Sequence, residues 1–256
     1  MCDGARLNLH SALNRGNKFG INVNIGPNVM LGRNNDLGNN CSITGKVIIG
    51  DNNVFATGVS IGCPARQRVQ NEPGPWISAD YEPTIRIGSN NFFEDYVTVQ
   101  EPLLHATEIG NFVALGAFTR ICHDGIVRDK VTAASSCAFG GYVQVGIGAN
   151  IGMGVVVHQR TAIGAWAMLG AGAVIVKHVV PGAVVCGVPA SYIRPNILGL
   201  ERAQFNKNEV DSISAFLSKD RRDSTLPEMY KAELDSFVAD VQKWERMRPM
   251  IPREVT

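Results

Sequence analysis

The sequence predicts an all-β solenoid followed by a C-terminal α-helical tail. Three observations predict it: aliphatic or aromatic residues recur at every sixth position, two segments interrupt that register, and the spacing of apolar residues becomes helical after Pro195. An ordinary β-sandwich of alternating strands would not hold a six-residue register over 13 consecutive units, as this chain does from Ile109 to Pro181.

The anchor of each six-residue unit is an aliphatic or aromatic residue, usually followed by glycine. The first run of anchors is Leu7, Leu13, Phe19, Ile25, Leu31, Leu37, Ile43, Ile49, Phe55 and Ile61, and the register resumes with Ile87, Phe93 and Val99 before the run that starts at Ile109. The fourth residue after each anchor is mostly small or β-branched, and Gly, Asn and Asp supply turns between the two inward positions. Three units close a triangular coil of 18 residues. Stacked coils then pair as parallel strands about 4.8 Å apart.

Two interruptions of the register are expected to loop out of the coil. The first excursion, residues 63–84, contains four prolines and Trp76, and long structured loops on a scaffold usually serve function. The second excursion, near residues 100–108, holds about four extra residues and contains His105, so it could border a site.

The C-terminal part of the chain changes to helical spacing. Apolar residues follow one another at intervals of three and four, for example Val210, Ile213 and Leu217. Asn208 is a candidate N-cap of the second helix in this part. We therefore divide the chain into a β-helix domain, residues 1–194, and a helical domain, residues 195–256.

Composition excludes several classes of protein. A formal net charge of +1 over 256 residues predicts no strong attraction to nucleic acid or to an anionic membrane. The sequence shows neither a signal peptide nor an apolar run of membrane-spanning length, so we expect a cytoplasmic protein with no membrane span. Six scattered cysteines without a CxxC pair are expected to be reduced thiols rather than metal ligands.

The period of the coil places a histidine in a column of functional interest. His123, Gly141 and Gln159 should stack in one column, with His158 beside its top, and Asp124, Tyr142 and Arg160 should form the adjacent column. Two coils, or roughly 10 Å at strand spacing, separate His123 from His158. A substrate would fit between them.

The chemistry of this column suits acyl transfer from a thioester. A neutral histidine oriented by a carboxylate can take a proton from a hydroxyl or an amine. A glycine one coil above it could present its backbone N–H to the oxyanion that forms when an acyl group is attacked. The alternative is that His123 and Asp124 form a solvated corner, as we expect for His10 and His178.

The register resembles that of the hexapeptide-repeat proteins, and this resemblance implies a left-handed parallel β-helix. From about Ile43 to the C-terminus, the chain is similar to the UDP-N-acetylglucosamine acyltransferases of lipid A synthesis. The similarity lies in the segments "ICHDG", "FGGYV", "VVVHQR", "GVPASYIRPN" and "NILGLERAQF".

This resemblance implies roles for individual residues. His123 matches the catalytic base, Asp124 the acid that steadies it, and Gly141 the oxyanion donor. Four further polar residues match substrate-binding positions: His158, Gln159, Asn196 and Arg202. The family is homotrimeric, which implies a homotrimer here.

The sequence also departs from the family pattern. Tyr142 and Arg120 stand where the family has histidines, and Gln100–Leu103 replace a His-Arg-Gly-Thr stretch. We therefore expect Arg120, Tyr142 and Arg160 to contribute to a diverged acceptor pocket.

The resulting hypothesis is an acyltransferase that moves an acyl group from an acyl carrier protein or coenzyme A thioester to a nucleotide-linked sugar. The acceptor would be a precursor of lipid A or of a surface polysaccharide, the thioester a co-substrate, and no cofactor would be tightly bound. One alternative is an N-acyltransferase that uses acyl-CoA on a UDP- or dTDP-amino sugar for O-antigen-type glycans. Another is a non-catalytic scaffold. A zinc enzyme of the carbonic anhydrase type needs three histidine ligands, and Ile163 stands where the third would be expected.

Overall fold

The computed structural model of the chain describes residues 15–65, 84–218 and 225–243, and the backbone of residues 249–250. Several predicted features lie outside these residues: the anchors Leu7 and Leu13, His10, and most of the first excursion with Trp76.

The described strands form three parallel sheets that are the three faces of a triangular coil. The first face consists of Lys18–Phe19, Asp36–Leu37, Val54–Phe55, Phe92–Phe93, Ala114–Leu115, Thr132–Ala133, Asn150–Ile151, Met168–Leu169, Ala183–Gly187 and Ala190–Pro195. The second face consists of Asn24–Ile25, Ser42–Ile43, Ser60–Cys63, Thr98–Gln100, Arg120–Ile121, Ala138–Phe139, Val156–Val157 and Val174–Ile175. The third face consists of Val29–Leu31, Lys46–Ile49, Thr84–Ile87, Ala106–Ile109, Ile126–Val127, Gln144–Val145, Ala162–Ile163, His178–Val179 and Pro249–Met250.

Strand register follows the predicted coil length. Ile121 pairs with Phe139, and Phe139 pairs with Val157, so each step from one coil to the next equals the period read from the sequence. Among the described strands all pairings are parallel except the last one on the first face, where Ala190–Pro195 runs antiparallel to Ala183–Gly187. The predicted solenoid with a helical tail is confirmed.

Most corners of the coil are made by residues in the left-handed backbone region. At these corners the residue three positions after an anchor has a φ between 55° and 63°, as at Asn52, Asp124 and Tyr142. Asn is frequent among them because its short polar side chain tolerates that conformation better than most. Equivalent corner side chains therefore stack above one another from coil to coil.

Both excursions leave the coil at the same corner, between the second and third faces. Ile61 pairs with Val99, so the first excursion inserts more than one full coil length of chain between neighbouring strands. Val99 pairs with Ile121, so the second excursion inserts only a few residues beyond one coil length. The next unit along this corner contains His123.

The core of the coil is mostly apolar, but in its first coils it contains a ladder of buried asparagines. Asn17, Asn35, Asn53 and Asn91 occupy equivalent inward positions in successive coils. The Asn53 side chain donates to Gly88 O at 3.0 Å and accepts from Asn91 N, also at 3.0 Å. Because each amide is satisfied by the coils on either side, the ladder ties coils together in a region without solvent.

Replacing Asn53 with alanine is expected to destabilise the solenoid by about 2–4 kcal/mol, because it leaves buried backbone groups of the neighbouring coil without partners. Denaturant unfolding followed by circular dichroism measures this change. Asn24→Ala is the matched control, since Asn24 is exposed on the outer side of a strand and surface changes are usually worth less than about 0.5 kcal/mol. Equal midpoints for the two variants would contradict a structural role for the ladder.

After the last coil, the described residues form three helices: α1 (Ile197–Arg202), α2 (Lys207–Leu217) and α3 (Glu228–Gln242). The prediction that Asn208 caps α2 is wrong, because the N-cap is Asn206. The Asn206 side chain accepts from Glu209 N and the Glu209 carboxylate accepts from Asn206 N, which completes a capping box. Among the described residues, no helix has both the length and the apolar content that crossing a membrane requires.

The helical tail packs on the last coils through aromatic residues. Tyr230 of α3 is fully buried, stacks on Trp166 and donates to Pro181 O at 2.9 Å. Helix α3 also contacts the outer side of the third face at Ala162–Ile163. The expectation that His178 faces solvent is wrong: it is 0% exposed, and its Nδ1 accepts from Ala162 N at 2.9 Å.

Candidate active site

The candidate site lies on the outer corner between the second and third faces. We call this the site corner and define it by residues 122–124, 140–142 and 158–160. Phe139 follows Ile121 by one coil and Val157 follows it by two, which places Gly141 above His123 and Gln159 above Gly141. The predicted column therefore exists in the fold, on the corner at which both excursions leave the coil.

Asp124 holds the His123 ring through a hydrogen bond. The Asp124 Oδ2 atom lies 3.0 Å from His123 Nδ1, and the His123 side chain is 16% exposed whereas that of Asp124 is 1% exposed. A solvated corner, the alternative drawn from the sequence, does not describe so deeply buried a carboxylate.

Three consecutive backbone N–H groups of the second excursion also bind the Asp124 carboxylate. Leu103 N donates to Oδ2 at 2.8 Å, and Leu104 N and His105 N donate to Oδ1 at 3.0 and 2.7 Å. Burial alone raises the pKa of Asp124, but the hydrogen bonds from His123 and from these three N–H groups outweigh it, and the pKa lies below its ordinary value. The carboxylate is therefore ionised at neutral pH.

An ionised Asp124 decides which nitrogen of His123 carries the proton. A carboxylate only accepts hydrogen bonds, so Nδ1 bears the hydrogen in the neutral ring. The other nitrogen, Nε2, then has a free lone pair and can accept a proton. This is the arrangement that a general base needs.

Gly141 approaches the imidazole more closely than any other residue type could. A Cβ atom at this position would lie 2.6 Å from His123 Nε2 and 3.0 Å from Nδ1. No backbone carbonyl within residues 15–65, 84–218 and 225–243 accepts from Gly141 N–H. Gly141, whose N–H has no such partner, thus lies against the ring whose Nε2 would act as the base.

Tyr142 and Arg160 complete the column beside His123. Tyr142 is 3% exposed and meets the His123 ring edge-on, with 4.9 Å between ring centroids. The Arg160 guanidinium lies over the Tyr142 ring at 5.2 Å from its centroid. Burial raises the pKa of Tyr142, the Asp124 carboxylate adds to this, and Arg160 only partly opposes it. The phenol is therefore neutral.

Three other predicted site residues lie at the surface of this part of the coil. Arg120 is exposed on the outer side of the strand that leads to His123. His158 and Gln159 are exposed two coils above, and His158 Nδ1 lies 3.0 Å from Gln159 O. These side chains are available to contact a bound molecule.

The fold does not bring Asn196 and Arg202 to the site corner. Asn196 caps α1 by accepting from Gly199 N at 3.2 Å, and its amide donates to Trp166 O at 2.7 Å. Trp166 is a corner residue between the third and first faces, at a different edge of the coil from His123. Arg202 is exposed in the last turn of α1.

The sequence indicated that the second excursion could border a site, but not that it contributes backbone donors. Residues Leu103–His105 act through backbone N–H groups, and a further residue, Thr107, accepts from Asp124 N through its Oγ1 at 3.0 Å. The signals in the sequence were His105 and the insertion of extra residues one coil below His123.

A neighbouring residue joins the two excursions. Glu101 N donates to Cys63 O at 3.1 Å, at the base of the first excursion. Burial raises the pKa of Glu101, and a hydrogen bond from the Ala65 backbone opposes this only in part.

In the described parts of the chain, no group of three His, Cys, Asp or Glu side chains could hold a metal ion.

Curated proteins similar in sequence include the acyl-[acyl-carrier-protein]–UDP-N-acetylglucosamine O-acyltransferase of Gloeothece citriformis, which is 33% identical over 131 residues, 50% of this chain and 48% of that protein. The enzyme of the same name from Alkalilimnicola ehrlichii is 31% identical over 157 residues, 58% of this chain and 61% of that protein. The chain thus spans about half to three fifths of the length of these curated relatives. No family model matches the chain.

Similarity of fold extends further along the chain than similarity of sequence. The solved structure of a UDP-N-acetylglucosamine acyltransferase from Campylobacter jejuni superposes with a TM-score of 0.71 at 21% identity, over 93% of this chain and 95% of that one. The chain therefore has the fold of the UDP-N-acetylglucosamine acyltransferases and resembles these enzymes in sequence.

Proposed function

We propose that the protein is an acyltransferase that moves an acyl group from a thioester of acyl carrier protein or coenzyme A to a nucleotide-linked sugar. The observation that carries this proposal is the oriented His123–Asp124 pair with the Gly141 backbone over its ring. The named relatives, which use acyl carrier protein and UDP-N-acetylglucosamine, support the choice of donor and acceptor class.

The proposed reaction starts with proton removal. His123 Nε2 takes the proton of the acceptor hydroxyl as the oxygen attacks the thioester carbonyl carbon. The carbonyl oxygen becomes an oxyanion, and Gly141 N–H donates to it. When the intermediate collapses, the C–S bond breaks and the imidazolium returns its proton to the departing thiolate. The products are the acylated sugar and the free thiol.

Asp124 is not consumed in this scheme. Its carboxylate holds Nδ1–H throughout and stabilises the imidazolium that forms when Nε2 is protonated. The catalytic residues are thus His123, Asp124 and Gly141.

We assign substrate binding to the surface around this column. His158 and Gln159 would contact the bound acceptor two coils above the base, and Arg120, Tyr142 and Arg160 would line a pocket that differs from that of the family. A neutral phenol in the place of a histidine donates one hydrogen bond and carries no charge at neutral pH. This change supports an acceptor other than the one the family uses.

The positions of Asn196 and Arg202 support a homotrimer. They lie at a different edge of the coil from His123, so one chain alone cannot bring all the proposed binding residues together. A ring of identical subunits puts unlike edges next to each other, since its interfaces are heterologous.

The cytoplasmic location of this reaction stays a prediction.

A product-mass assay tests the proposed function. The purified full chain is incubated with pairs drawn from acyl carrier protein or coenzyme A thioesters and from nucleotide sugars, including UDP-N-acetylglucosamine and UDP- and dTDP-amino sugars. We expect one nucleotide sugar to gain the mass of one acyl group while an equal amount of thiol is released. Intact thioesters and unmodified sugars in every combination would contradict the proposal and favour a scaffold.

A further inference from the structure

The Asp124 carboxylate is saturated by contacts that come mainly from the second excursion. Four donors serve its two oxygens: His123 Nδ1 and Leu103 N on Oδ2, and Leu104 N and His105 N on Oδ1. Two oxygens of an ionised carboxylate offer about four lone-pair sites. The side chain therefore has no alternative orientation that keeps its hydrogen bonds.

The backbone of Asp124 is fixed by the same segment. Its N–H donates to Thr107 Oγ1 at 3.0 Å, and the Thr107 side chain is fully buried. Thr107 lies at the point where the excursion returns to the coil as the strand Ala106–Ile109. Main chain and side chain of Asp124 are thus both held by residues 103–107.

The contacts of the excursion with the Asp124 carboxylate are made by backbone rather than by side chains. Leu104 is 59% exposed, so its side chain contributes little packing, yet its N–H binds Oδ1. A path of backbone that bends around one carboxylate and presents three successive N–H groups needs more residues than a plain corner. The residues inserted by the second excursion provide this length.

We infer that residues 103–107 are a positioning element of the catalytic pair, with Thr107 as its positioning side chain. The inference rests on the proposed function. The excursion acts through Asp124: it fixes the carboxylate, the carboxylate fixes the His123 ring and its tautomer, and Nε2 is thereby aimed at the substrate. None of these residues has to touch the substrate for this effect.

Two substitutions of Thr107 separate positioning from packing. Thr107→Val keeps the shape and removes the acceptor oxygen, whereas Thr107→Ser keeps the oxygen and removes a methyl group. We expect Thr107→Val to lower kcat by about 10- to 100-fold with KM within about twofold, and Thr107→Ser to stay within about threefold of the parent in kcat. The reverse order, with valine active and serine impaired, would show a packing role and overturn the inference.

A second pair of variants tests the backbone donors. Leu104→Pro removes the N–H that binds Oδ1, and Leu104→Ala changes the same exposed side chain but keeps the N–H. We expect kcat to fall at least tenfold in the proline variant and to change less than twofold in the alanine variant. Equal kcat values in the two variants would overturn the role of the backbone donors.

A measurement without substrate distinguishes failure of this inference from failure of the proposed function. In ¹⁵N-histidine-labelled protein, His123 Nδ1–H should give a downfield proton resonance that is absent from His123→Gln. We expect this resonance to persist in Thr107→Ser and Leu104→Ala and to be lost or exchange-broadened in Thr107→Val and Leu104→Pro. If the resonance were unchanged in the latter two variants, the excursion would not position His123, whatever the assay of nucleotide sugars shows.

Discussion

Replacing His123 with alanine is expected to lower kcat by about 10²- to 10⁴-fold, the range that a positioned general base contributes. The reason is the oriented Nε2 atom, since Asp124 holds the ring at Nδ1 and Gly141 lies against the same ring. Steady-state assays with the acceptor and thioester found in the product-mass screen measure the change. Turnover within tenfold of the parent would mean that His123 is not the base.

His158→Ala is the matched control for this loss. His158 is exposed two coils above His123, and its Nδ1 lies 3.0 Å from a backbone carbonyl, Gln159 O. We expect this variant to raise KM for the acceptor and to change kcat far less than His123→Ala does, since it removes binding rather than proton transfer. Circular dichroism should show the same solenoid spectrum for both variants.

Gly141→Ala is expected to lower kcat by about 100-fold or more. The added Cβ would lie 2.6 Å from His123 Nε2, so the ring has to move, and a displacement of about 1 Å can cost about 10²-fold in rate. Since Gly141 is not in the left-handed backbone region, alanine fits the backbone there and the coil should be retained. Alanine keeps the backbone N–H of residue 141, which is the proposed oxyanion donor. The fall in kcat would therefore result from displacement of the His123 ring.

Gly26→Ala provides the control for this substitution. Gly26 lies on the same edge of the coil, next to the anchor Ile25, and a Cβ there would make only ordinary contacts, at 3.4 Å from Thr44 Cα. We expect its kcat to stay within about twofold of the parent. If Gly141→Ala behaved like Gly26→Ala, the close approach of Gly141 to the imidazole would have no role in turnover.

The column at the site corner could be predicted because a solenoid converts sequence spacing into distance. Once the period of the coil was known, His123, Gly141 and Gln159 had to stack, since parallel in-register strands place equivalent residues above one another. The same rule placed Tyr142 above Asp124. Few other folds allow neighbours to be read from spacing in this way, because their contacts depend on how separate elements pack.

The environment of each side chain could not be predicted in the same way. His178 was expected to face solvent, and a solvated corner was the alternative drawn for His123 and Asp124, yet His178 and Asp124 are both buried. The second excursion binds the Asp124 carboxylate, and the strand of His178 lies between Ala162–Ile163 and Pro249–Met250 in its sheet. The coil period does not determine the path of inserted residues or the docking of helices.

The amino-acid sequence was sufficient to predict the solenoid, the coil length, the corner that carries His123 and the similarity to an acyltransferase family. Each depends on local periodicity or on short motifs. The three-dimensional fold was needed to show that the N–H groups of Leu103, Leu104 and His105 converge on Asp124, and that Asn196 lies at another edge. Backbone N–H groups are present at every non-proline residue, so no pattern of side chains reveals which of them will meet at one carboxylate.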